Sequence, residues 1–138
     1  IVEVFKKVKT NIDSGTPNFV QEGAVAALGD EEHVEQSRAD YRRKRDILAD
    51  ALAASGLPDC RPQATIYLWQ RVPQGYSSVE FATALLEPEI AVVTTPGAWI
   101  SNETADGLNP GEGFVRFALV PSVEDTEKAG ERIRTAKW

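Results

Sequence analysis

Apolar positions recur along this chain first at helical and then at strand spacing. Ile1, Val4, Phe5 and Val8 share one helical face, so Val2 to Lys9 reads as the end of a helix. Thr10 to Gly15 reads as a polar link. Thr16-Pro17 reads as a helix start, with Thr16 at the N-cap and Pro17 at the first helical position, where its missing N–H costs little. That helix runs to about Leu28, with Val20, Ala24, Ala27 and Leu28 as its stripe, and Gly29 stops it. Asp30 caps a long helix from Glu31 to about Ser55. Val34, Tyr41, Leu48 and Leu52 mark its apolar face, and Asp40 and Lys44 mark a charged one. Gly56 and Pro58 end it.

The period then shortens. Ala64-Thr65-Ile66-Tyr67-Leu68-Trp69 is apolar on both sides and predicts a strand covered on both faces. Pro73 and Gly75 turn the chain, and Ser77 with Glu80 has capping-box spacing for a helix to about Glu87. Ile90 to Thr94 predicts a second strand, ended by Pro96-Gly97. Ser101 to Gly113 is a Gly/Asn/Pro-rich loop. Phe114 to Leu119 predicts a third strand, and Pro121-Ser122 starts a last helix with Val123, Ala129 and Ile133 as its buried candidates. The fold class this order implies is α+β: a small sheet of about three strands with helices packed on it.

Composition narrows the function classes. The 138 residues carry a net charge of −6, which argues against nucleic acid as a partner. No apolar run approaches the roughly 20 residues of a membrane span, and no signal-peptide pattern opens the chain. The lone Cys60 excludes an internal disulfide and fits a reducing, cytoplasmic setting. The chain starts at Ile1, contains no Met and begins inside a helical pattern without a cap. The expectation is therefore a piece of a longer protein, with an apolar patch where the remainder would pack.

Arg116 is the most informative residue. Alternation puts it on one strand face with Phe114 and Ala118, opposite Val115, Phe117 and Leu119. A permanent charge in so apolar a strand needs a partner. Its guanidinium matches a carboxylate in bidentate geometry, so one reading is an anion site for a substrate. The other is an edge-strand Arg that reaches solvent or an internal Asp or Glu. His33 reads as a solvated helix residue. Cys60 has no matching His pattern, and metal-ligand spacing is absent. Gly111-Glu112-Gly113 does not lead from a strand into a helix, so it is no dinucleotide loop.

Four segments carry a resemblance. They are Lys9-Thr10-Asn11-Ile12-Asp13-Ser14-Gly15-Thr16-Pro17-Asn18-Phe19-Val20-Gln21, Tyr41-Arg42-Arg43-Lys44-Arg45-Asp46, Ala64-Thr65-Ile66-Tyr67-Leu68-Trp69, and Gly111-Glu112-Gly113-Phe114-Val115-Arg116-Phe117-Ala118-Leu119. In this order they resemble the C-terminal small domain of class I/II aminotransferases, which use pyridoxal 5′-phosphate (PLP). The first is similar to LL-diaminopimelate aminotransferases. The last, with Gly107-Leu108-Asn109-Pro110 before it, is similar to succinyldiaminopimelate aminotransferases.

The resemblance implies the end of an interdomain helix and linker over residues 1–15 and the small domain over residues 16–138. It implies that Arg116 clamps the α-carboxylate of amino-acid and keto-acid substrates, with 2-oxoglutarate the expected acceptor. It also puts Asn11 and Ser14 near the dimer interface. There they line the substrate or phosphate site, or else serve as linker residues capping turns. Tyr67 and Trp69 read as core or domain-interface aromatics, and Trp99 as a cover over the site or a plain surface aromatic. The family's cofactor lysine lies upstream of the matching segment, and Lys6, Lys7 and Lys9 lack its motif. The resemblance thus implies no catalytic residue in this chain, no PLP bound to it alone, and a homodimeric parent whose large domain supplies the cofactor machinery. The alternative from another class is a non-catalytic binding module on the same fold.

Overall fold

The computed structural model describes residues 1–12 and 15–138. The chain divides into two compact units, Ile1–Ser37 and Arg38–Trp138.

The first unit holds α1 (Val2–Ile12), α2 (Asn18–Leu28) and the start of α3 (Glu32–Ala54). α1 runs past Lys9 because the polar residues expected to form a link bond back into the helix: Thr10 Oγ1 donates to the Lys6 carbonyl at 2.7 Å. Its stripe of Val4, Phe5, Val8 and Ile12 is exposed, as are Phe19, Val25 and Leu28 on α2. The predicted cap of α2 is corrected. Pro17, not Thr16, takes the N-cap position, and no side chain caps it. Thr16 contributes its main-chain carbonyl instead, which accepts from Gln21 Nε2 at 2.7 Å. Asp30 does serve the start of α3, where its carboxylate accepts from the Glu32 N–H at 3.1 Å.

The second unit contains the core. Its elements after α3 are β1 (Tyr67–Arg71), α4 (Ser78–Ala84), β2 (Thr95–Pro96), a 3₁₀ turn (Gly97–Trp99), β3 (Phe114–Ala118) and α5 (Val123–Thr135). α3 ends where Gly56 turns left-handed at φ +92°. The Leu57 and Gly56 N–H groups then bond back to the Leu52 and Ala53 carbonyls, satisfying the last turn. Lys44 is not on a solvated face. It is 7% exposed and lies three residues from Tyr41 and four from Leu48, on the same stripe. Its Nζ donates to the Pro121 carbonyl at 3.1 Å and sits 4.2 Å from the centre of the Tyr41 ring.

The sheet has the order β1-β3-β2, antiparallel throughout, with Trp69 opposite Arg116 on one side and Thr95 opposite Arg116 on the other. One face carries Leu68, Val115 and Phe117 into a cluster with Leu48 and Leu52 of α3, Phe81 and Leu85 of α4, and Ile133 of α5. The expectation of a first strand covered on both faces is corrected. Leu68 and Gln70 are fully buried, but Tyr67 and Trp69 are 36% and 40% exposed. The strand also starts three residues later than predicted, because Thr65 adopts φ +83° and breaks the extended run.

The predicted strand at Ile90 to Thr94 is absent. Three of its amides are taken by the turn that follows α4: Ile90 and Ala91 N–H bond the Glu87 carbonyl at 2.9 and 2.7 Å, and Val92 N–H bonds the Leu85 carbonyl at 2.8 Å. Ala91 turns to φ +49° to allow this. The strand forms instead over Thr95–Pro96 and stays short at the sheet edge, where a residue without an N–H is tolerated. α4 carries the expected capping box between Ser77 and Glu80 but stops at Ala84 rather than Glu87. α5 begins on Ser122, whose hydroxyl accepts from the Asp125 N–H at 3.0 Å. Of its buried candidates, Ile133 is in the core, and Val123 and Ala129 are half-buried.

Candidate functional site

The open face of the sheet carries Arg116, the main candidate. β3 alternates as its sequence dictates: Val115 and Phe117 go into the core, and the half-buried Arg116 projects to the other side. The guanidinium carbon of Arg116 stands 4.5 Å from the centre of the Tyr67 ring. Its Nη2 donates to Thr95 Oγ1 at 3.4 Å. Its Nε is buried with no hydrogen-bond partner. Among the described residues no carboxylate lies within ion-pair distance of Arg116, so an internal Asp or Glu does not neutralise it. A guanidinium with one weak acceptor, a ring beneath it and a dry unpaired N–H is suited to an anion with two oxygens.

The loop that precedes β3 is held by its own bonds. Trp69 turns away onto Phe114, with ring centres 5.4 Å apart and planes at 16°. Beyond it the chain from Gly97 to Gly113 is tied to itself. Ser101 Oγ donates to the Gly97 carbonyl at 2.8 Å, and Asn109 Nδ2 donates to the Ala98 carbonyl at 3.1 Å. The Gly111 N–H bonds Asn109 Oδ1 at 2.9 Å. Trp99, on the 3₁₀ turn, is 72% exposed.

Asn11 lies in the first unit, on the last turn of α1, where its Nδ2 donates to the Lys7 carbonyl at 2.7 Å. That bond is internal to α1. Ser14 lies outside the described residues. The sequence pattern does not single out Thr95, and it marks Tyr67 as a core or domain-interface aromatic. Their signal lies in cross-strand register, which the sequence does not display.

The other candidates stay quiet. His33 pairs with Asp30 at 3.0 Å on an exposed helix end. The half-buried Cys60 thiol is pushed up to about 11 by burial and by the Asp59 charge. Among the described residues no cluster could hold a metal, and no helix is long and apolar enough to cross a membrane.

Lysines that could carry an aldehyde cofactor do not fit either. In the second unit Lys44 is held by Pro121 and Tyr41, Lys128 pairs with Glu124 at 2.6 Å, and Lys137 is exposed beyond α5. None lies on the strands that carry Arg116.

Residues 1–133 match the family Aminotransferase class I and II. The LL-diaminopimelate aminotransferase of Dehalococcoides mccartyi is 38% identical over 138 residues, which is 99% of this chain and 34% of that protein. An aminotransferase structure from Neisseria meningitidis superposes with a TM-score of 0.82 at 34% identity, covering 96% of this chain and 33% of that one. A probable N-succinyldiaminopimelate aminotransferase structure from Thermus thermophilus gives a TM-score of 0.71 at 36% identity, covering 94% and 33%. The chain spans about a third of the length of the relatives it matches.

Proposed function

The chain belongs to the class I and II aminotransferase family, and from that premise we propose that it is the C-terminal small domain of a PLP-dependent aminotransferase in which Arg116 receives the substrate's α-carboxylate. The observation that carries this is the state of Arg116: on the open face of the sheet, without an ion pair among the described residues, and with a buried Nε that nothing satisfies. Inside a core such a charge is a liability. Opposite a carboxylate it makes two charge-assisted bonds in a fixed plane.

The substrate pair in this reading is diaminopimelate or its succinyl derivative with 2-oxoglutarate. The names of the relatives in Dehalococcoides and Thermus support that choice. The cofactor, which supplies the chemistry at the amino group when bound, belongs to a large domain outside this chain. The isolated chain is therefore inactive and binds no PLP. The parent is a cytoplasmic homodimer, with residues 1–15 as interdomain helix and linker and residues 16–138 as the small domain. Near the dimer interface of that parent, Asn11 and Ser14 either line the substrate or phosphate site or serve as linker residues that cap turns.

The test is Arg116→Ala in the full-length enzyme. PLP absorbance stays, because the cofactor's ligands lie elsewhere. kcat/KM falls for both the amino donor and the keto acceptor, by the equivalent of about 2–5 kcal/mol, since each presents an α-carboxylate to the same group. Arg116→Lys recovers only part, because an ammonium cannot form the fork. Wild-type efficiency with both substrates in Arg116→Ala would overturn the assignment.

A further inference from the structure

We infer that Tyr67 and Thr95 are positioning residues for Arg116, fixing the plane in which its guanidinium meets a carboxylate; this rests on the reading of Arg116 as the carboxylate contact.

A bidentate contact depends on orientation as well as charge. The guanidinium is planar and its N–H groups form a rigid fork, but the chain that carries it is long and freely rotating. Unless something holds the plane, part of the binding energy is lost to ordering the side chain when the ligand arrives. Two neighbours supply the constraint from two sides. The Tyr67 ring lies against the guanidinium at 4.5 Å, which favours a stacked arrangement and restricts tilt. The Thr95 hydroxyl accepts one N–H of Nη2 at 3.4 Å, which restricts rotation within the plane. It takes one of the five N–H groups, so Nε–H, both Nη1 hydrogens and the second Nη2 hydrogen remain for a ligand.

The sheet sets both contacts. Thr95 is the register partner of Arg116 across β2 and β3. Tyr67 is paired with Ala118, two residues along β3 from Arg116, on the same open face. Neither constraint neutralises the charge. A neutral ring and a neutral hydroxyl orient the group and leave its charge for the ligand, whereas an Asp or Glu in either place would compete with the substrate. The neighbouring Thr94 makes a useful contrast, because its hydroxyl is buried with no partner and does not reach Arg116.

The experiment uses full-length, PLP-loaded enzyme with glutamate and 2-oxoglutarate as probes, following Kd by cofactor absorbance and KM and kcat by turnover. Thr95→Val and Tyr67→Leu remove the hydroxyl and the ring. Each is expected to weaken binding of both probes about five- to tenfold, mainly through Kd and KM. Thr95→Ser and Tyr67→Phe keep the hydroxyl and the ring and are expected to restore binding to within about twofold. Thr94→Val is expected to leave Kd unchanged.

Arg116→Ala is run alongside. If it too binds both probes as wild type, the carboxylate reading itself falls. If Arg116→Ala is impaired while Thr95→Val and Tyr67→Leu bind normally, only the positioning inference is overturned. It is also overturned if Thr95→Ser and Tyr67→Phe are as impaired as Thr95→Val and Tyr67→Leu, since the effect would then be general disruption of the sheet.

Discussion

Gly97 and Gly111 stand backbone to backbone, and each occupies the space where a Cβ on the other would have to go. A Cβ on Gly97 would also meet the Phe114 carbonyl oxygen at 2.7 Å and the far edge of the Trp69 ring at 2.9 Å. This contact closes the loop that follows β2 onto the start of β3. Gly97→Ala and Gly111→Ala are each expected to cost about 3 kcal/mol, because the obstacles are mainly backbone atoms that cannot rotate aside. Gly113 has nothing within 4 Å of its would-be Cβ. Gly113→Ala should therefore stay within about 0.5 kcal/mol of wild type. Urea unfolding of the three variants checks the contrast, and equal effects at all three would contradict it.

Thr65 holds φ +83°, a conformation that a β-branched residue rarely adopts. The strain sits just before β1, where Ile66 offers its carbonyl to the Leu119 N–H at 2.9 Å. Thr65→Gly relieves the strain but frees the unfolded chain, so the net expectation is a gain of about 1 kcal/mol. A fall in the denaturation midpoint of this variant would show that the Thr65 side chain contributes more than its backbone costs.

Cys60 gives a pH signature. Burial and the Asp59 charge raise its thiol from 9.0 to about 11 in the folded chain. The folded state therefore keeps its proton where the unfolded state has lost it. The contribution to stability is complete below the ordinary thiol value and is lost as pH rises through the folded value, that is, between 9.0 and about 11. Iodoacetamide labelling of the native chain should reach half its limiting rate near pH 11, and Cys60→Ala should flatten the loss of stability in that window. Half-maximal labelling near pH 9 would refute the shift.

What the sequence discloses and what it hides divides along physical lines. The side of β3 on which Arg116 lies follows from a period of two, which no tertiary contact can alter without breaking the strand. The Ser77–Glu80 and Ser122 caps are likewise local, because donor and acceptor are a few residues apart. The errors arise where other segments, near or distant, compete for the same groups. Ile90 to Thr94 has the composition of a strand, yet the Leu85 and Glu87 carbonyls just beyond α4 claim the Ile90, Ala91 and Val92 amides first. Lys44 looks solvated by its charge, yet its position between Tyr41 and Leu48 buries it once Pro121 supplies a carbonyl. Thr95 and Tyr67 reach Arg116 only through strand register, set by chain segments far apart in sequence.

Arg116 also allows function and stability to be separated within this chain alone. A structural Arg in an ion pair stabilises the fold, and cutting it away leaves a partner unsatisfied at a cost of about 3–5 kcal/mol. Arg116 has no such partner among the described residues, and its buried Nε is already unsatisfied. Replacing it by Met keeps much of the side-chain volume, loses the contact with the Tyr67 ring and relieves the desolvated charge. The ring contact contributes about 0.5–1 kcal/mol, and the relief is of similar size and opposite sign. Arg116→Met should therefore leave the unfolding free energy within about 1 kcal/mol of wild type. In the full-length enzyme the same substitution should remove most of the carboxylate binding. A residue that matters little to folding and greatly to binding is what selection for a ligand leaves behind. Should Arg116→Met instead unfold the chain, or cost as much as a broken buried ion pair, Arg116 would be a structural residue and another group would have to receive the substrate.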